Sequence, residues 1–293
     1  MLVNLKTILE DAHKNRYAVA SFNFNSFEDC KGMVEAAVNK RSPVILMATS
    51  TTVRYIGLQT VTGMVRGMAK EVDVPVCLHL DHATDLSLIF ACVEAGFSSV
   101  MIDASREEYL KNIELTKMVV EKACKFSCSV EGELGKISGH EDDFIADGSE
   151  LTNPQAVPRF VKETGLDALA VAIGTVHGFY KSEPQIDFLR LDAIRKATDI
   201  PLVLHGGTGL SEDEFRKCIS MGMSKVNIGT EIKYVFSQAL RDAATRLGDE
   251  MDPRRYLGEA TRDCCEVVKH KIDMFGCAGK AESTMAIGQG RKD

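Results

Sequence analysis

Eight short apolar runs recur along this chain, and they constrain its fold more than any other feature. The runs are rich in Val, Ile, Leu and Ala, and segments with helical spacing separate them. They are Tyr17–Phe22, Pro43–Ala48, Pro75–Leu80, Ser98–Ile102, Ser127–Leu134, Asp167–Ile173, Pro201–Leu204 and Ser224–Ile228. Near-continuous apolar strands that alternate with helices are typical of a parallel sheet covered by helices. Eight such units predict an α/β fold, the closed (β/α)8 TIM barrel.

Three further helices are predicted, one before the first strand and two after the last. They cover Asn4–Arg16, Thr230–Leu247 and Glu259–Phe275. The first is amphipathic, with Asn4 as its N-cap, and it is expected to close the bottom of the barrel. Residues 282–293 show no periodicity. We therefore expect a single barrel domain over residues 1–281 and a flexible tail at 282–293.

The composition of the chain argues against several classes of protein. The chain has 293 residues, a formal net charge of −7 and no long basic tract, so we do not expect a nucleic-acid partner. The longest apolar stretch, near residues 168–173, is too short to span a membrane, and no signal peptide is evident. Nine cysteines without a Cys-x-x-Cys pair indicate reduced thiols in a cytoplasmic protein.

Polar residues follow nearly every apolar run, at the ends where a barrel of this kind carries its active site. They are Asn23, Asn25, Thr49, Ser50, Asp81, His82, Asp103, Glu131, Glu133, His177, His205 and Asn227. A lone histidine at such a place is usually a core residue. Three imidazoles at separate strand ends, from His82, His177 and His205, instead predict an open zinc site. His79 is interpreted as a core or supporting residue.

Four carboxylates accompany these histidines. Asp103 and Glu133 either hold a second metal or orient the histidines through hydrogen bonds, and we favour the orienting role. Asp81 precedes a metal ligand, should be ionised there, and can accept a proton from a substrate hydroxyl. Glu141 lies in the polar segment 139–154, which is long enough to be a mobile lid that brings a second acid or base. Without the metal site, Glu141 would be an ordinary surface charge.

Three glycine-containing turns follow the last three strands and can bring backbone amides close to an anion. They are His177-Gly178-Phe179-Tyr180-Lys181, Gly206-Gly207-Thr208-Gly209 and Asn227-Ile228-Gly229-Thr230. The loops after strands seven and eight of such barrels frequently bind phosphate. No nucleotide-binding motif accompanies them, so a phosphorylated small molecule is the expected ligand.

Together these segments resemble the class II, zinc-dependent ketose-bisphosphate aldolases, the family of fructose- and tagatose-bisphosphate aldolases. The segments are 79–82, 99–105, 130–135, 139–142, 176–178, 204–209 and 227–231. The resemblance implies Zn²⁺ at His82, His177 and His205, with Asp103 and Glu133 at an alternate metal position. It also implies that Asp81 moves the proton of the C4 hydroxyl and that Glu141 exchanges one with the ketone-derived fragment.

The resemblance further implies how substrate and partners bind. The expected substrate- and phosphate-binding residues are Asn23, Thr49, Gly178, Lys181, Gly206, Gly207, Thr208, Asn227, Gly229 and Thr230. A monovalent cation, Na⁺ or K⁺, is expected in the same loops. The reaction would cleave a ketose 1,6-bisphosphate to dihydroxyacetone phosphate and glyceraldehyde 3-phosphate, and the protein would be a homodimer or homotetramer.

Several alternatives stay open at this point. Ala83 and Gly229 depart from common family patterns and leave the ketose undecided among fructose, tagatose and another ketose 1-phosphate. The distal phosphate could bind Arg54, Arg254 or Arg255. A non-catalytic accessory barrel of a tagatose-bisphosphate aldolase complex, a Schiff-base aldolase and a zinc hydrolase are competing functions. The Schiff-base mechanism needs a lysine at a strand end, where neither Lys136 nor Lys225 is well placed.

Overall fold

A computed structural model of the chain describes residues 1–141, 144–146, 148–180 and 183–289, without the side chains of 140, 141, 144–146, 288 and 289. The strands are β1 (Val19–Asn23), β2 (Val44–Thr49), β3 (Val76–Ala83), β4 (Ser99–Ile102), β5 (Ser129–Leu134), β6 (Ser138–Glu141), β7 (Phe144–Ala146), β8 (Ala168–Val171), β9 (Val176–His177), β10 (Leu202–Leu204) and β11 (Met223–Ile228). The helices are α1 (Leu5–Asn15), α2 (Phe27–Asn39), α3 (Ser50–Ile56), α4 (Leu58–Lys70), α5 (Leu86–Ala95), α6 (Tyr109–Ala123), α7 (Val157–Thr164), α8 (Phe188–Ala197), α9 (Glu212–Ser220), α10 (Thr230–Leu247), α11 (Pro253–Phe275) and α12 (Ala281–Gln289).

Parallel strands of the described chain close into a barrel in the order β1–β11–β10–β8–β5–β4–β3–β2. Each of the eight predicted apolar runs overlaps one of these strands, so the predicted (β/α)8 barrel is confirmed. The strands are buried along almost their whole length, because side chains face either the barrel interior or the surrounding helices. The seam of the barrel is the pairing of β1 with β11, in which Ser21 lies opposite Asn227.

Helix α1 lies across the N-terminal ends of the strands and closes the bottom of the barrel, as the sequence predicts. The Asn4 side chain accepts from Thr7 N at 3.0 Å and caps the helix. Its amide group reaches Ser127 O, next to the start of β5, at 3.2 Å. Leu5, Ile8 and Leu9 are completely buried. The opposite end of the barrel is therefore the one left open for a site.

One segment that was expected to be irregular is regular in the structure. The tail predicted from residue 282 is helical to Gln289, because α12 packs on α1: Thr284 is completely buried and Ser283 Oγ donates to Asp11 Oδ2 at 2.5 Å. The remaining residues, 290–293, lie outside the described chain. These contacts join segments 272 residues apart in sequence, so local periodicity does not show them.

The polar segment 139–154 also contains regular structure. Strands β6 and β7 form an antiparallel pair, and β6 runs parallel to β9 with Gly139 opposite His177. Gly139 has a φ of 122°, and a Cβ there would lie 2.3 Å from His177 O. Only glycine permits this close approach, which sets the start of the polar segment against a candidate metal ligand.

A glycine between two helices provides a test of the packing outside the barrel. A Cβ on Gly32 of α2 would lie 2.7 Å from Thr261 O of α11. We expect Gly32→Ala to lower the free energy of unfolding by about 1–3 kcal/mol, because the backbone of α11 must move. Gly67→Ala on α4, where nothing lies within 4 Å, should instead raise it by about 0.5–1 kcal/mol. Urea unfolding measures both; equal midpoints for the two variants would contradict the packing argument.

Candidate metal centre

Asp81 and His82 both face the open end of the barrel although they are neighbours in sequence. Successive side chains of a regular strand point to opposite faces. In β3 the pairing with β4 shifts register between Leu80 and Ala83, and His82 has a φ of 45° in the left-handed region. This bulge turns the backbone so that the two consecutive residues share one site. The strained φ is not visible in the sequence.

The three predicted ligands come together at this end. The ring centroid of His82 is 4.8 Å from that of His177 and 4.5 Å from that of His205, and the last two are 6.0 Å apart. One nitrogen from each ring lies within 4.8 Å of the others. His177 ends β9, and His205 follows β10 directly. Separate elements thus deliver three imidazoles to one point.

The hydrogen bonds fix which ring nitrogens face this point. His82 Nδ1 lies 3.0 Å from Asp103 Oδ2, and His205 Nε2 lies 2.8 Å from Glu131 Oε1. A carboxylate only accepts, so these two nitrogens carry the ring protons. The other two nitrogens, His82 Nε2 and His205 Nδ1, lie 2.7 Å apart with their lone pairs facing. At this distance the two nitrogens share one proton in the metal-free protein, and a metal ion can take the place of that proton. The donor set fits Zn²⁺ because imidazole nitrogens are ligands of this ion.

Burial keeps the histidines in the form that binds metal. Removal from water, together with the nearby His82, holds the pKa of His177 and of His205 well below the ordinary value. Both rings are therefore neutral at pH 7, and a neutral imidazole nitrogen is the one that ligates a metal.

Asp103 and Glu133 lie beside His82 and form with it a second group able to hold a metal. Burial raises the pKa of Asp103, but hydrogen bonds from His82 and Ser105 outweigh it and keep that pKa below its usual range. Asp103 thus orients His82, the role that the sequence analysis favoured. Burial and the neighbouring Asp103 raise the pKa of Glu133 well above its ordinary value. Glu133 Oε2 is 3.8 Å from His205 Nδ1.

Asp81 is held by two amides rather than by solvent. Asn23 Nδ2 donates to Asp81 Oδ2 at 2.8 Å and Asn227 Nδ2 to Asp81 Oδ1 at 3.3 Å. Burial alone would raise the pKa of Asp81, but His82 and Lys225 outweigh it and lower that pKa. Asp81 is therefore an ionised acceptor. Both asparagines were expected to bind substrate, and their Oδ1 atoms have no hydrogen-bond partner among the described residues.

The other predicted binding residues occupy the loops around this opening. Gly178 follows His177, Gly206, Gly207 and Thr208 follow His205, and Gly229 precedes Thr230 at the start of the 18-residue α10. Thr49 accepts from Thr52 N at 3.2 Å and caps α3. Lys181 and the side chain of Glu141 lie outside the described residues. Of the three arginines proposed for a distal phosphate, Arg254 and Arg255 pair with Asp252 and Glu250, whereas Arg54 is exposed on α3 directly after β2.

The sequence analysis missed Tyr180, which joins the loops of two histidines. Its hydroxyl donates to Gly206 O at 2.9 Å and accepts from Val176 N at 3.1 Å. Val176 precedes one candidate ligand and Gly206 follows another. The tyrosine therefore fixes the spacing between the backbones that carry His177 and His205.

Comparison with known proteins places this chain in a family. Residues 3–280 match the family described as class-II fructose-bisphosphate aldolase. The chain is 41% identical over 284 residues to a Staphylococcus aureus protein named fructose-bisphosphate aldolase, covering 96% of this chain and 99% of that one. A Geobacillus stearothermophilus protein of the same name is also 41% identical, over 283 residues. The crystal structure of the YdjI aldolase of Escherichia coli K12 superposes with a TM-score of 0.85 at 34% identity, covering 96% of this chain and 100% of that one.

The chain has the fold of a solved aldolase, and three histidines cluster at the open end of its parallel barrel. The chain belongs to the class-II fructose-bisphosphate aldolase family.

The role of Tyr180 can be tested by removing one oxygen atom. Tyr180→Phe loses both loop contacts, and we expect zinc affinity to fall roughly tenfold because two candidate ligands lose their common support. Tyr17→Phe is the matched control, since that hydroxyl bonds Asp11 at 2.8 Å near the bottom of the barrel. It should leave zinc affinity unchanged. Chelator competition measures both; unchanged zinc affinity in Tyr180→Phe would contradict the role.

Proposed function

We propose that this protein is a zinc-dependent aldolase that reversibly cleaves a ketose 1,6-bisphosphate to dihydroxyacetone phosphate and glyceraldehyde 3-phosphate. Family membership and the names of the relatives support the aldolase activity. One observation carries the zinc dependence: His82 Nε2 and His205 Nδ1 face each other at 2.7 Å, with both ring protons directed to carboxylates. The neutral His177 completes the ligand set.

His82, His177 and His205 would hold the zinc ion, which when bound supplies a Lewis acid for the substrate carbonyl. Asp81 then removes the proton of the C4 hydroxyl. The C3–C4 bond breaks, an aldehyde forms at C4, and the electron pair stays on the fragment that becomes dihydroxyacetone phosphate. That fragment takes up a proton at C3, which we assign to Glu141 because β6, where Glu141 ends the strand, runs beside His177.

The glycine-containing loops would bind the C1 phosphate. Gly178, Gly206 and Gly229 let backbone amides approach an anion, and the start of α10 adds a favourable dipole. Gly207, Thr208, Thr230 and Lys181 would complete this subsite. We also assign Na⁺ or K⁺ to carbonyl oxygens of the same loops, on the family resemblance alone.

The names of the relatives favour fructose 1,6-bisphosphate, and tagatose 1,6-bisphosphate or another ketose 1-phosphate are the alternatives. Initial rates with ketose phosphates that differ at C4 and C6 decide among them. An accessory subunit without activity is disfavoured, because such a chain has no need of three converging histidines beside an ionised Asp81.

We propose that the protein forms a homodimer or homotetramer and is cytoplasmic. Sedimentation of the purified protein measures the oligomeric state. All nine cysteines are free and eight of them are buried, which suits a reducing compartment. Among the described residues, no helix is long and apolar enough to cross a membrane.

Removal of metal separates this mechanism from a Schiff-base aldolase. We expect EDTA to abolish cleavage, added zinc to restore it, and borohydride with substrate to leave activity unchanged, because no lysine forms a covalent bond. Full activity after EDTA, or inactivation by borohydride, would contradict the proposal. Lys225, the buried lysine nearest the histidines, is paired with Glu131.

Replacement of the proposed base tests the proton transfer. Asp81→Asn keeps the size of the side chain but removes the acceptor charge, so we expect kcat to fall by about 10²–10⁴-fold. Zinc content should remain near one ion per chain, since Asp81 is not a proposed ligand. Asp213→Asn, on the exposed first turn of α9, is the control. A variant Asp81→Asn with wild-type kcat would assign the proton to another group.

A further inference from the structure

A buried ion pair lies beneath the three histidines, and neither of its residues is a proposed metal ligand or a proposed acid or base. Lys225 Nζ on β11 donates to Glu131 Oε2 on β5 at 2.8 Å, and neither side chain is exposed to solvent. A fully buried ion pair is often no more stabilising than apolar residues of the same volume. Stability alone therefore does not account for a lysine in the middle of this barrel.

The two oxygens of Glu131 divide their contacts between the lysine and a candidate ligand. Oε2 accepts from Lys225, whereas Oε1 lies 2.8 Å from His205 Nε2. A lysine ammonium has only donors, so it can bind nothing but an acceptor oxygen. With one oxygen held in this way, the carboxylate presents its other oxygen to His205 as an acceptor.

We propose that Glu131 and Lys225 are positioning residues that fix the tautomer of His205, with the proton on Nε2, and so keep Nδ1 available to a metal. The consequence of this tautomer for metal binding rests on the proposed function, but the tautomer itself can be observed in the metal-free protein. His79 is a further titratable neighbour: its Nε2 is 3.7 Å from Glu131 Oε2, and its Nδ1 is 2.8 Å from Ser99 Oγ. Burial and the charge of Lys225 hold the pKa of His79 well below its ordinary value. His79 is therefore neutral at pH 7, and Lys225 carries the positive charge beside Glu131.

Glu131→Gln tests the proposal because an amide has one acceptor and one donor end. The ammonium of Lys225 captures the amide oxygen, which turns the NH2 group toward His205 Nε2. That nitrogen must then accept, and the ring proton moves to Nδ1, where it opposes metal binding. We expect zinc affinity to fall by about 10–100-fold and the ¹⁵N spectrum of the metal-free variant to show a proton on Nδ1.

Adding Lys225→Met to Glu131→Gln should reverse part of this loss. Without the ammonium, the amide can rotate and offer its oxygen to His205 Nε2. We therefore expect the double variant to bind zinc more tightly than the single variant, by up to about tenfold, and to regain the proton on Nε2. A role in packing alone predicts the opposite order. Ser99→Ala, which removes the His79 contact from the same buried layer, should change neither the tautomer nor the zinc affinity.

Chelator competition gives the zinc affinities, and ¹⁵N shifts of the histidine rings give the tautomers. The metal-free wild-type protein already decides the central point, even if a variant fails to fold. A proton on His205 Nε2 supports the proposal, and an unprotonated Nε2 overturns it. Equal zinc affinity in the wild type and Glu131→Gln, or a double variant weaker than the single one, also overturns it. A wild-type protein that neither binds zinc nor cleaves ketose phosphates refutes the proposed function, while the tautomer measurement still decides this inference.

Discussion

Two carboxylates determine the geometry of the site, because each accepts a hydrogen bond from a ring nitrogen of one histidine. Asp103 accepts from His82 Nδ1 and Glu131 accepts from His205 Nε2, so the unprotonated nitrogens are left 2.7 Å apart at the mouth of the barrel. These two donor nitrogens are arranged for a cation because the protons of their rings lie on the opposite nitrogens, hydrogen-bonded to the carboxylates. An identical set of rings with exchanged tautomers would present N–H groups to the same point and repel a metal.

Each buried carboxylate of the site has hydrogen-bond partners that offset the cost of burying its charge. Asp103 is held by Ser105, Glu131 by Lys225, and Asp81 by two asparagine amides. A buried charge without partners would cost several kcal/mol, on the order of the whole stability of many domains. The polar residues therefore come as sets from neighbouring strands. Loss of one partner is expected to disturb the others before it disturbs the apolar layers around the barrel.

Local pattern predicted the strands and the positions of the ligands, whereas contacts distant in sequence produced what was missed. Apolar runs showed all eight barrel strands, and residues expected at strand ends, such as Asn23, Thr49 and His205, do lie there, whereas Glu131 lies inside β5. The helix at Ala281–Gln289 and the pairing of β6 with β9 depend on partners far along the chain. The turn of β3 at His82 is likewise imposed by register with β4. Lys225 did offer a signal, since a lysine inside an apolar strand requires a buried partner.

Closure of the barrel and placement of the base depend on the same strands. Asn23 ends β1 and Asn227 lies near the end of β11, so the two amides that hold Asp81 come from either side of the seam. Asp81 itself lies on β3, which β2 separates from β1, and reaches both amides across the mouth of the barrel. A barrel that opened at this seam would pull the amides apart and release the carboxylate to solvent. The position of the proposed base is therefore set by closure of the sheet as a whole, which is why residues far apart in sequence can act together on one proton.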